Sequence, residues 1–348
     1  MTGWDGESLI ARRDAETGAW IFVALHSSRL GASTGGTRMI PYPSLDAARR
    51  DAMRLSAGMT YKWAAAGFPR GGGKAVIAAP GGLGERARAG LLRRFGSLVS
   101  ELGGRFWTGA DAGTSAEDMD VIAETGAPYV FSRTPAHGGA GGSGPWTALG
   151  VFAAMRAVCQ RLFGDASLSG RVVLVQGAGS VGRPLIERLS GAGARVVYTD
   201  VAPGAERVFA GRPGIAFVEP DAMLETPCDL FTPCALGAVL NAQTIPRLRC
   251  RAVVGAANNQ LAEPEDAERL RSAGILYAPD FVVNAGGAIA ITGIEALGWP
   301  SERATREVEA IADTLTSILD LAEERGTTTE AAARRLAERR LQAAEAER

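Results

Sequence analysis

The sequence predicts an α/β protein of two domains, and three observations support this. The chain has 348 residues, enough to bury two hydrophobic cores, and its composition is that of an ordinary globular protein. In the second half, strand-like and helix-like segments alternate, as expected for a parallel sheet covered on both faces. A glycine-rich stretch at 136–145 separates the two halves. The predicted domains are therefore 1–140 and 141–325, with a helix at 326–348 that packs back on the first domain.

The first domain is predicted to mix strands and helices. Residues 20–26 (WIFVALH) are rich in β-branched and aromatic side chains and predict a strand, and residues 74–78 predict another. Residues 45–59 and 87–102 carry apolar side chains at helical spacing. These segments give the first domain a mixed α/β character.

In the second domain the predicted elements repeat as strand–helix units. Residues 172–175 predict a strand, 181–190 a helix and 195–199 a second strand. Shorter apolar runs continue the pattern at 229–231, 252–256 and 274–277. The end of the chain, 301–348, is predicted to be helical.

Charge and composition argue against several classes of function. The formal net charge is −1, so no basic field attracts nucleic acid. No signal-peptide pattern opens the sequence, and no run approaches the roughly 18–20 apolar residues of a membrane span, so a cytoplasmic protein is expected. The four cysteines form no C-x-x-C pair and there are only two histidines. No metal site is therefore predicted, and the thiols are expected to be reduced.

A glycine motif between a predicted strand and a predicted helix indicates a dinucleotide site. In RVVLVQGAGSVG the glycines form G-x-G-x-x-G, and free N–H groups at the helix start favour a pyrophosphate. The loop residues predicted to contact the cofactor are Gly177, Gly179, Ser180, Val181 and Gly182. Asp200 ends the next strand, 23 residues after the first glycine (200 − 177), where it would accept bonds from ribose hydroxyls and repel a 2′-phosphate. The second domain is therefore predicted to be a Rossmann-type, doubly wound domain that binds NAD rather than NADP, with Arg207 as the nearest later cation.

Two lysines of the first domain, Lys62 and Lys74, are candidates for chemistry. Apolar and glycine residues surround both, and no acidic residue lies between Arg54 and Pro80. Desolvation and a neighbouring cation both lower the pKa of a lysine, which can then act as a base or hold an anionic group. Lysines beside glycines are also ordinary surface residues, so both interpretations stay open at this point.

Three further polar residues follow apolar segments. Asp111 comes after an aromatic strand and is either a helix cap or a functional carboxylate. Asn258 and Asn284 end apolar runs of the second domain. Because ligands bind beyond the carboxyl ends of the strands in a doubly wound sheet, these asparagines are either crevice residues or plain turn residues.

Seven motifs, in order along nearly the whole chain, resemble those of the Glu/Leu/Phe/Val amino-acid dehydrogenases. They are LGASTGGTRM (30–39), MTYKWAAAGFPRGGGKAVI (59–77), TGADAGT (108–114), VQGAGSVG (175–182), PCALGAVLN (233–241), GAANNQL (255–261) and YAPDFVVNAGGAI (277–289). The resemblance implies NAD(P)-dependent oxidative deamination of an L-amino acid to a 2-oxo acid and ammonia, and the reverse reaction. It also implies an N-terminal substrate and oligomerisation domain, a cleft between the domains, and a homo-oligomer.

The resemblance further implies roles by motif position. Lys62 would pair with the substrate carboxylate, helped by backbone N–H groups near Gly35 and Gly36. Lys74 would activate the water that attacks the imino intermediate, and Asp111 would exchange protons with the substrate nitrogen. The residues expected to place the nicotinamide ring and its ribose are Ser143, Thr147, Ala235, Asn258 and Asn284.

The predicted substrate depends on the size of the pocket. Glutamate is the least expected, since its side-chain carboxylate would need a further cation. Gly109 and Ala288 stand where alanine and valine are usual in leucine- and valine-type members, and smaller walls leave volume for a ring. L-Phenylalanine or another aromatic amino acid is therefore predicted, with a branched-chain substrate as the alternative. A non-catalytic NAD-binding regulator is a further alternative, although it would need neither the two lysines nor Asp111.

Overall fold

In the computed structural model, residues 4–235 and 237–346 are described, and the chain divides into two units. The first unit consists of Met1–Gly142, Ile291–Pro300 and Ala337–Arg348. The second unit consists of Ser143–Ala290 and Ser301–Leu336. The division differs from the predicted one at 291–300, which the sequence assigns to the second domain and the structure to the first unit. It also differs at 326–336, which was predicted to pack on the first domain and belongs to the second unit.

A five-stranded mixed sheet forms the centre of the first unit. Its strands are β1 (Ser8–Arg13), β2 (Trp20–Ser27), β3 (Ser33–Arg38), β4 (Gly71–Ala78) and β5 (Phe106–Ala110). They lie in the order β1-β2-β4-β3-β5. Both β1 and β4 run antiparallel to β2, whereas β3 is parallel to β4 and to β5. The carboxyl ends of β3, β4 and β5 therefore share one edge of the sheet.

Helices cover the two faces of this sheet. They are α1 (Leu45–Ala66), α2 (Glu85–Glu101) and α3 (Ala116–Gly126). On one face α1 lies against β2 and β4, and small side chains such as Ala48 and Ala52 form the contact. On the other face α2 and α3 enclose the main core of the unit, which includes Phe95, Phe106 and Met119. The first unit is thus a three-layer arrangement with the sheet in the middle.

Glycines in β4 allow α1 to approach the sheet closely. The helix is capped at its start by the side chain of Ser44 and ends at Gly67, which has a φ of 66°. A Cβ on Gly72 would lie 2.0 Å from Thr60 Oγ1 of the helix. The glycine run before Lys74 is therefore required for packing within the protein itself.

A six-stranded parallel sheet forms the second unit. Its strands are β6 (Val172–Gln176), β7 (Arg195–Thr199), β8 (Ile215–Phe217), β9 (Leu230–Pro233), β10 (Ala252–Val253) and β11 (Leu276–Tyr277). They lie in the order β11-β10-β9-β6-β7-β8, and every neighbouring pair is parallel. Counted from β6 as the first strand, this is the order 3-2-1-4-5-6 of a doubly wound nucleotide-binding sheet. The predicted α/β fold with a Rossmann-type domain is confirmed.

The remaining helices begin at the glycine-rich crossing. They are α4 (Ser143–Phe163), α5 (Gly182–Gly191), α6 (Asp266–Ser272), α7 (Asp280–Val283), α8 (Gly286–Leu297), α9 (Ser301–Glu309), α10 (Ile311–Arg325) and α11 (Thr329–Ala346). The end of α11 belongs to the first unit, where Arg340 donates to the carbonyl oxygens of Ala64 and Ala65. These carbonyls lie in the last turn of α1, where the backbone N–H of Gly67 also donates to Ala64 O, so the arginine adds to the cap at this end of the helix.

One apolar segment meets the length and composition of a membrane span. Asp280–Leu297 has a mean hydropathy of 1.3 over 18 residues. Because 61% of this stretch is buried inside the protein, it also fits a core helix of a globular protein. The segment is therefore weak evidence for a membrane protein.

Candidate active site

The first unit brings a lysine, an arginine and an aspartate together at the shared carboxyl edge of its parallel strands. Arg38 is the last residue of β3, Lys74 lies within β4, and Asp111 directly follows β5. Lys74 Nζ lies 2.8 Å from Asp111 Oδ2, and Arg38 Nε lies 2.8 Å from the same oxygen. Two cations therefore share one carboxylate oxygen.

Burial and charge change the proton affinities of this pair in opposite ways. Lys74 is only 4% exposed, and burial lowers its pKa because the charged ammonium loses hydration. Burial alone would raise the pKa of Asp111, but the positive charges of Lys74 and Arg38 outweigh it and lower that pKa to about 2. Asp111 is therefore ionised at neutral pH, and Lys74 loses its proton more readily than a solvated lysine.

The turn after β5 fixes the position of Asp111. The backbone N–H of Asp111 donates to Thr114 Oγ1, and that hydroxyl donates to the carbonyl of Thr37 in the neighbouring strand. Helix α3 is capped instead by Ser115, which forms a capping box with Asp118. Asp111 is thus not the helix cap, which was one of the two interpretations that the sequence left open.

Lys62 and the glycine pair of β3 belong to the same unit. Lys62 is half-buried on α1, within the helix that packs on β4. A Cβ on Gly35 would lie 1.9 Å from the carbonyl oxygen of Gly73, and one on Gly36 would lie 2.8 Å from Asp111 Cβ. Any side chain at Gly36 would therefore displace the catalytic candidate Asp111.

The space beside Gly109 is filled, contrary to the prediction of an enlarged pocket. A Cβ on Gly109 would lie 2.4 Å from the ring of Phe131 and 2.7 Å from Ser132 Oγ. Phe131 is buried, and Ser132 has the unusual φ of 63°. The ring of Phe131 therefore occupies the space that a methyl group at position 109 would fill, and this space is not free for a substrate.

The sequence analysis missed the charged residues behind Asp111. Arg38 Nη1 binds Asp51 Oδ2 at 3.1 Å, and Tyr42 donates to the same oxygen at 2.7 Å. Arg54 binds the other oxygen of Asp51 at 2.8 Å. Arg38 lies inside a motif that was recognised, but its partners depend on strand register, which the sequence alone does not reveal.

In the second unit the glycine motif forms a tight turn between β6 and α5. Gly177 has a φ of 97°, and a Cβ there would lie 3.0 Å from Ala235 Cβ, in the loop that follows β9. A Cβ on Gly182 would lie 1.9 Å from the carbonyl oxygen of Gly177. The strand order reverses between the adjacent strands β6 and β9. Gly177 follows β6 and Ala235 follows β9, so both lie at the usual ligand position of such a sheet. Ser180 and Val181 complete the turn.

Asp200 supports the glycine loop, whereas Arg207 is exposed and pairs with its chain neighbour. Asp200 Oδ2 accepts the N–H of Ala178 at 2.7 Å, and Oδ1 accepts the N–H of Ala202 at 2.8 Å. The side chain of Arg207 is 84% exposed and pairs with Glu206. Arg183, which the sequence analysis did not consider, donates to the carbonyl of Ala178 at 2.7 Å.

Two asparagines meet beyond the strands of the second unit. Asn284 Nδ2 donates to Asn258 Oδ1 at 2.8 Å, and Asn284 is only 6% exposed. Within the described residues, the buried Oδ1 of Asn284 has no hydrogen-bond partner, which is costly unless a ligand donates to it. Both asparagines thus have side-chain contacts that a plain turn residue would not need.

Residues of α4 and α8 lie close together in the same unit. A Cβ on Gly287 would lie 2.6 Å from Thr147 Oγ1 and 2.9 Å from Ser143 Cβ. Ala288, the next residue of α8, is half-buried. The predicted site residues thus form two groups, the lysine–aspartate group of the first unit and the glycine–asparagine group of the second.

A metal centre finds no support in the described parts of the chain. Within 4–235 and 237–346, no three His, Cys, Asp or Glu side chains are grouped so that they could hold a metal ion.

Comparison with family models and known proteins matches both units. A family model described as Glu/Leu/Phe/Val dehydrogenase, dimerisation domain, matches residues 14–127. A second model, described as Glutamate/Leucine/Phenylalanine/Valine dehydrogenase, matches residues 205–348. A leucine dehydrogenase of Thermoactinomyces intermedius is 42% identical, over 98% of this chain and 92% of that protein. A valine dehydrogenase of Streptomyces albus is 43% identical, over 98% of this chain and 94% of that protein.

A solved structure shows the same similarity. The L-tryptophan dehydrogenase from Nostoc punctiforme has a TM-score of 0.83 and 38% identity, with coverage of 98% of this chain and 97% of that chain. Sequence and structure therefore agree on one family.

Proposed function

The chain belongs to the Glu/Leu/Phe/Val dehydrogenase family and is an amino-acid dehydrogenase, and we propose that its substrates are the branched-chain L-amino acids leucine and valine. The phenylalanine specificity predicted from the sequence is not supported, since the relatives compared above are named leucine and valine dehydrogenases. The proposal takes up the branched-chain alternative instead.

The observation that carries the substrate proposal is the packing of Phe131 against Gly109. The argument for an aromatic substrate depended on empty volume at Gly109, and the ring of Phe131 occupies that volume. A filled wall favours an aliphatic side chain of four or fewer carbons. One methylene in such a pocket changes discrimination by about 1–3 kcal/mol, so the preference is expected to be graded rather than absolute.

The residues of the second unit fit NAD, the cofactor of the reaction. The turn of Gly177 and Gly182 leaves the start of α5 open to a pyrophosphate, and Asn284 Oδ1, which has no partner among the described residues, is an acceptor for an amide N–H. When bound, NAD accepts a hydride from the substrate Cα. We propose that Asp200 binds the ribose and disfavours NADP, and that Ser143, Thr147, Ala235 and Asn258 help to place the nicotinamide ring.

Within the first unit we assign the proton transfers to Lys74 and Asp111. Asp111, ionised by its two cations, accepts a proton from the substrate ammonium group. Lys74, neutral after loss of its proton, removes a proton from the water that attacks the substrate imine, and Lys62 holds the substrate carboxylate. Amino acid, NAD⁺ and water thus give 2-oxo acid, ammonium, NADH and one proton.

Tryptophan is a second candidate substrate. The solved structure of an L-tryptophan dehydrogenase is 38% identical to this chain, so a member that is similar over nearly its full length is named for an aromatic substrate. Ala288 was noted in the sequence as a departure from branched-chain members, and both it and Trp146, beside Thr147, belong to the second unit. This candidate predicts that an indole side chain is preferred in spite of the Phe131 ring.

The test is steady-state NAD reduction with leucine, valine, isoleucine, phenylalanine, tryptophan and glutamate. We expect the highest kcat/KM with leucine or valine, and much lower values with NADP. Preference for tryptophan or phenylalanine would refute the branched-chain proposal and leave the family unchanged. Binding of NAD without turnover of any amino acid would instead favour the non-catalytic regulator.

Assembly and location are part of the same proposal. We propose a homo-oligomer formed through the first unit, because residues 14–127 match a model described as a dimerisation domain. Sedimentation velocity measures this, and a monomer at micromolar concentration would contradict it. A cytoplasmic location, as expected from the sequence analysis, is part of the proposal, and cell fractionation tests it.

A further inference from the structure

Arg38 shares a single oxygen of Asp111 with Lys74, and this arrangement goes beyond the lysine–aspartate pair itself. Both Arg38 Nε and Lys74 Nζ lie 2.8 Å from Asp111 Oδ2. A second nitrogen of the Arg38 guanidinium, Nη1, lies 3.1 Å from Asp51 Oδ2. Arg38 therefore bridges two carboxylates, one next to the lysine and one on α1.

We propose that Arg38 is a positioning residue that supplies Asp111 with a permanent counter-charge, so that Lys74 is free to give up its proton. The proposal rests on the proposed function for the role of Lys74 as the base. A guanidinium stays charged throughout the working pH range, whereas an ammonium does not. If Lys74 were the only cation beside Asp111, loss of its proton would leave a buried carboxylate without a partner, which is costly.

Arg38 opposes the attraction of two carboxylates for the Lys74 ammonium group. The negative charges of Asp111 and Asp51 raise the pKa of Lys74, whereas the positive charge of Arg38 lowers it. With Arg38 present, the charges of these three groups sum to −1, and without it they would sum to −2. The position of Arg38 therefore acts in the same direction as burial and favours the neutral lysine.

The groups that face Lys74 come from several elements. Arg38 comes from β3 and Asp111 from the turn after β5, while α1 contributes Asp51 and carries Lys62. On the antiparallel side, β2 places the uncharged Ala24 opposite Lys74. The effect of Arg38 is thus opposed by the two carboxylates, and removal of Arg38 leaves their attraction for the ammonium unopposed.

Asp51 and Tyr42 hold the guanidinium in this position. Tyr42 donates to Asp51 Oδ2 at 2.7 Å, and its own pKa is raised by burial, so it remains a donor. The side chain of Arg38 is 18% exposed and that of Asp51 is 15% exposed, which limits screening by water. Among the described residues both cations bind Asp111 Oδ2, which leaves the second carboxylate oxygen, Oδ1, for the substrate proton.

The experiment measures the proton affinity of Lys74 in two ways. The first is the pH dependence of kcat/KM for oxidative deamination of leucine, whose acidic limb reports the loss of the lysine proton. The second is acetylation of Lys74 by acetic anhydride as a function of pH, read by peptide mass spectrometry, which requires no turnover. The variants are Arg38→Gln, Arg38→Lys and Asp51→Asn.

The expected shifts have opposite signs. In Arg38→Gln the lysine loses a like charge, so its pKa rises and the acidic limb moves to higher pH by about one unit. In Arg38→Lys the charge is kept and the midpoint returns toward the wild-type value, even if kcat is lower. In Asp51→Asn a neighbouring negative charge is lost, and the midpoint moves to lower pH.

A matched control comes from the same unit. Arg94 binds both oxygens of Asp14, at 2.6 Å and 3.0 Å, and that carboxylate also has its pKa lowered to about 2. Arg94→Gln removes a comparable ion pair and is expected to leave the midpoint of Lys74 unchanged. A purely structural role of Arg38 would lower activity equally at every pH.

Each outcome decides between the two proposals. Equal midpoints in the wild type, Arg38→Gln and Arg38→Lys would overturn the role of Arg38. If no amino acid is turned over, the proposed function fails, and the acetylation midpoints still test Arg38. If Arg38→Gln does not fold, the other two variants test the proposal. The midpoint is then expected to move to lower pH in Asp51→Asn and to stay near the wild-type value in Arg38→Lys.

Discussion

The candidate catalytic residues of the first unit are charged side chains that bind one another. The candidate cofactor-binding residues of the second unit are mainly backbone and amide groups that could bind a ligand. Lys74 and Asp111 are in contact at 2.8 Å. In the second unit, Gly177 adopts a positive φ and the buried Oδ1 of Asn284 lacks a partner among the described residues. Substitutions in the first unit should therefore change proton transfer, and those in the second should change cofactor affinity.

The largest expected effect is that of Lys74→Ala. Removal of the base should reduce kcat by about 10³-fold, within the usual range for a general acid–base residue, and leave the Kd for NAD nearly unchanged. Steady-state kinetics and fluorescence titration with NAD measure the two quantities. Full activity in this variant would contradict the role of Lys74 as the base and the assignment of proton transfer to the first unit.

The ionic bonding of the first unit also predicts a pH-dependent stability. Arg94 and then Thr17 lower the pKa of Asp14 from 3.8 to about 2, although burial acts in the opposite direction. The ion pair therefore stabilises the fold above pH 4 and loses this effect as the pH falls toward 2. Because Arg94 is partly exposed, Asp14→Asn should lower the free energy of unfolding at pH 7 by about 1–2 kcal/mol. Urea unfolding at several pH values should show the difference shrink on acidification; a constant difference would assign it to packing.

Two glycines of the second unit separate cofactor binding from folding. A Cβ on Gly179 has no atom within 4 Å, so Gly179→Ala should keep its Tm and raise the Kd for NAD about tenfold, if the backbone there approaches the pyrophosphate. A Cβ on Gly182 meets the carbonyl of Gly177 at 1.9 Å, so Gly182→Ala should cost about 1–3 kcal/mol of stability. Calorimetry and NAD titration distinguish the two. Unchanged NAD affinity in Gly179→Ala would remove this residue from the cofactor site.

The smallest expected effect concerns substrate choice in the first unit. Phe131→Leu should release volume beside Gly109 and raise kcat/KM for phenylalanine relative to leucine by several-fold. Adding Gly109→Ala to this variant should reverse the change, because the new methyl group takes up part of the released volume. An unchanged ratio in Phe131→Leu would show that this wall does not face the substrate.

The two units also differed in how far they could be predicted. In the second unit the strand at 172–175, the glycine motif and Asp200 lie within one strand–turn–helix–strand segment, so local patterns suffice. The parallel sheet follows from the alternation of strands and helices. These signals depend on neighbours in sequence, and the structure placed them as expected.

In the first unit the local signals were weaker for physical reasons. β3 (STGGTR) was not predicted, because two glycines and polar side chains hide its strand character, which comes from pairing with β4 and β5. The helix predicted at 45–59 continues to Ala66, so Lys62 lies on a helix. The contact of Arg38 with Asp111 joins residues 73 positions apart through strand register.

Gly109 shows a different limit of the sequence. A small residue was taken to indicate space for a ligand, but the structure fills that space with Phe131 from a segment 22 positions later (131 − 109). Which side chain occupies a gap is decided by tertiary packing, and composition at one wall does not reveal it.

The first unit is assembled from three separate stretches of chain, and the last of them, Ala337–Arg348, contains the arginine that caps α1. During synthesis the chain emerges from its N-terminus, and domains generally fold as they appear. Here the stretches of the second unit end at Leu336, so all of its residues are synthesised before Arg340. The part of the protein that is translated first is therefore completed last. A ribosome stalled before Ala337 would hold a chain that contains the whole dinucleotide loop, while the helix that carries Lys62 would still lack its contact with Arg340.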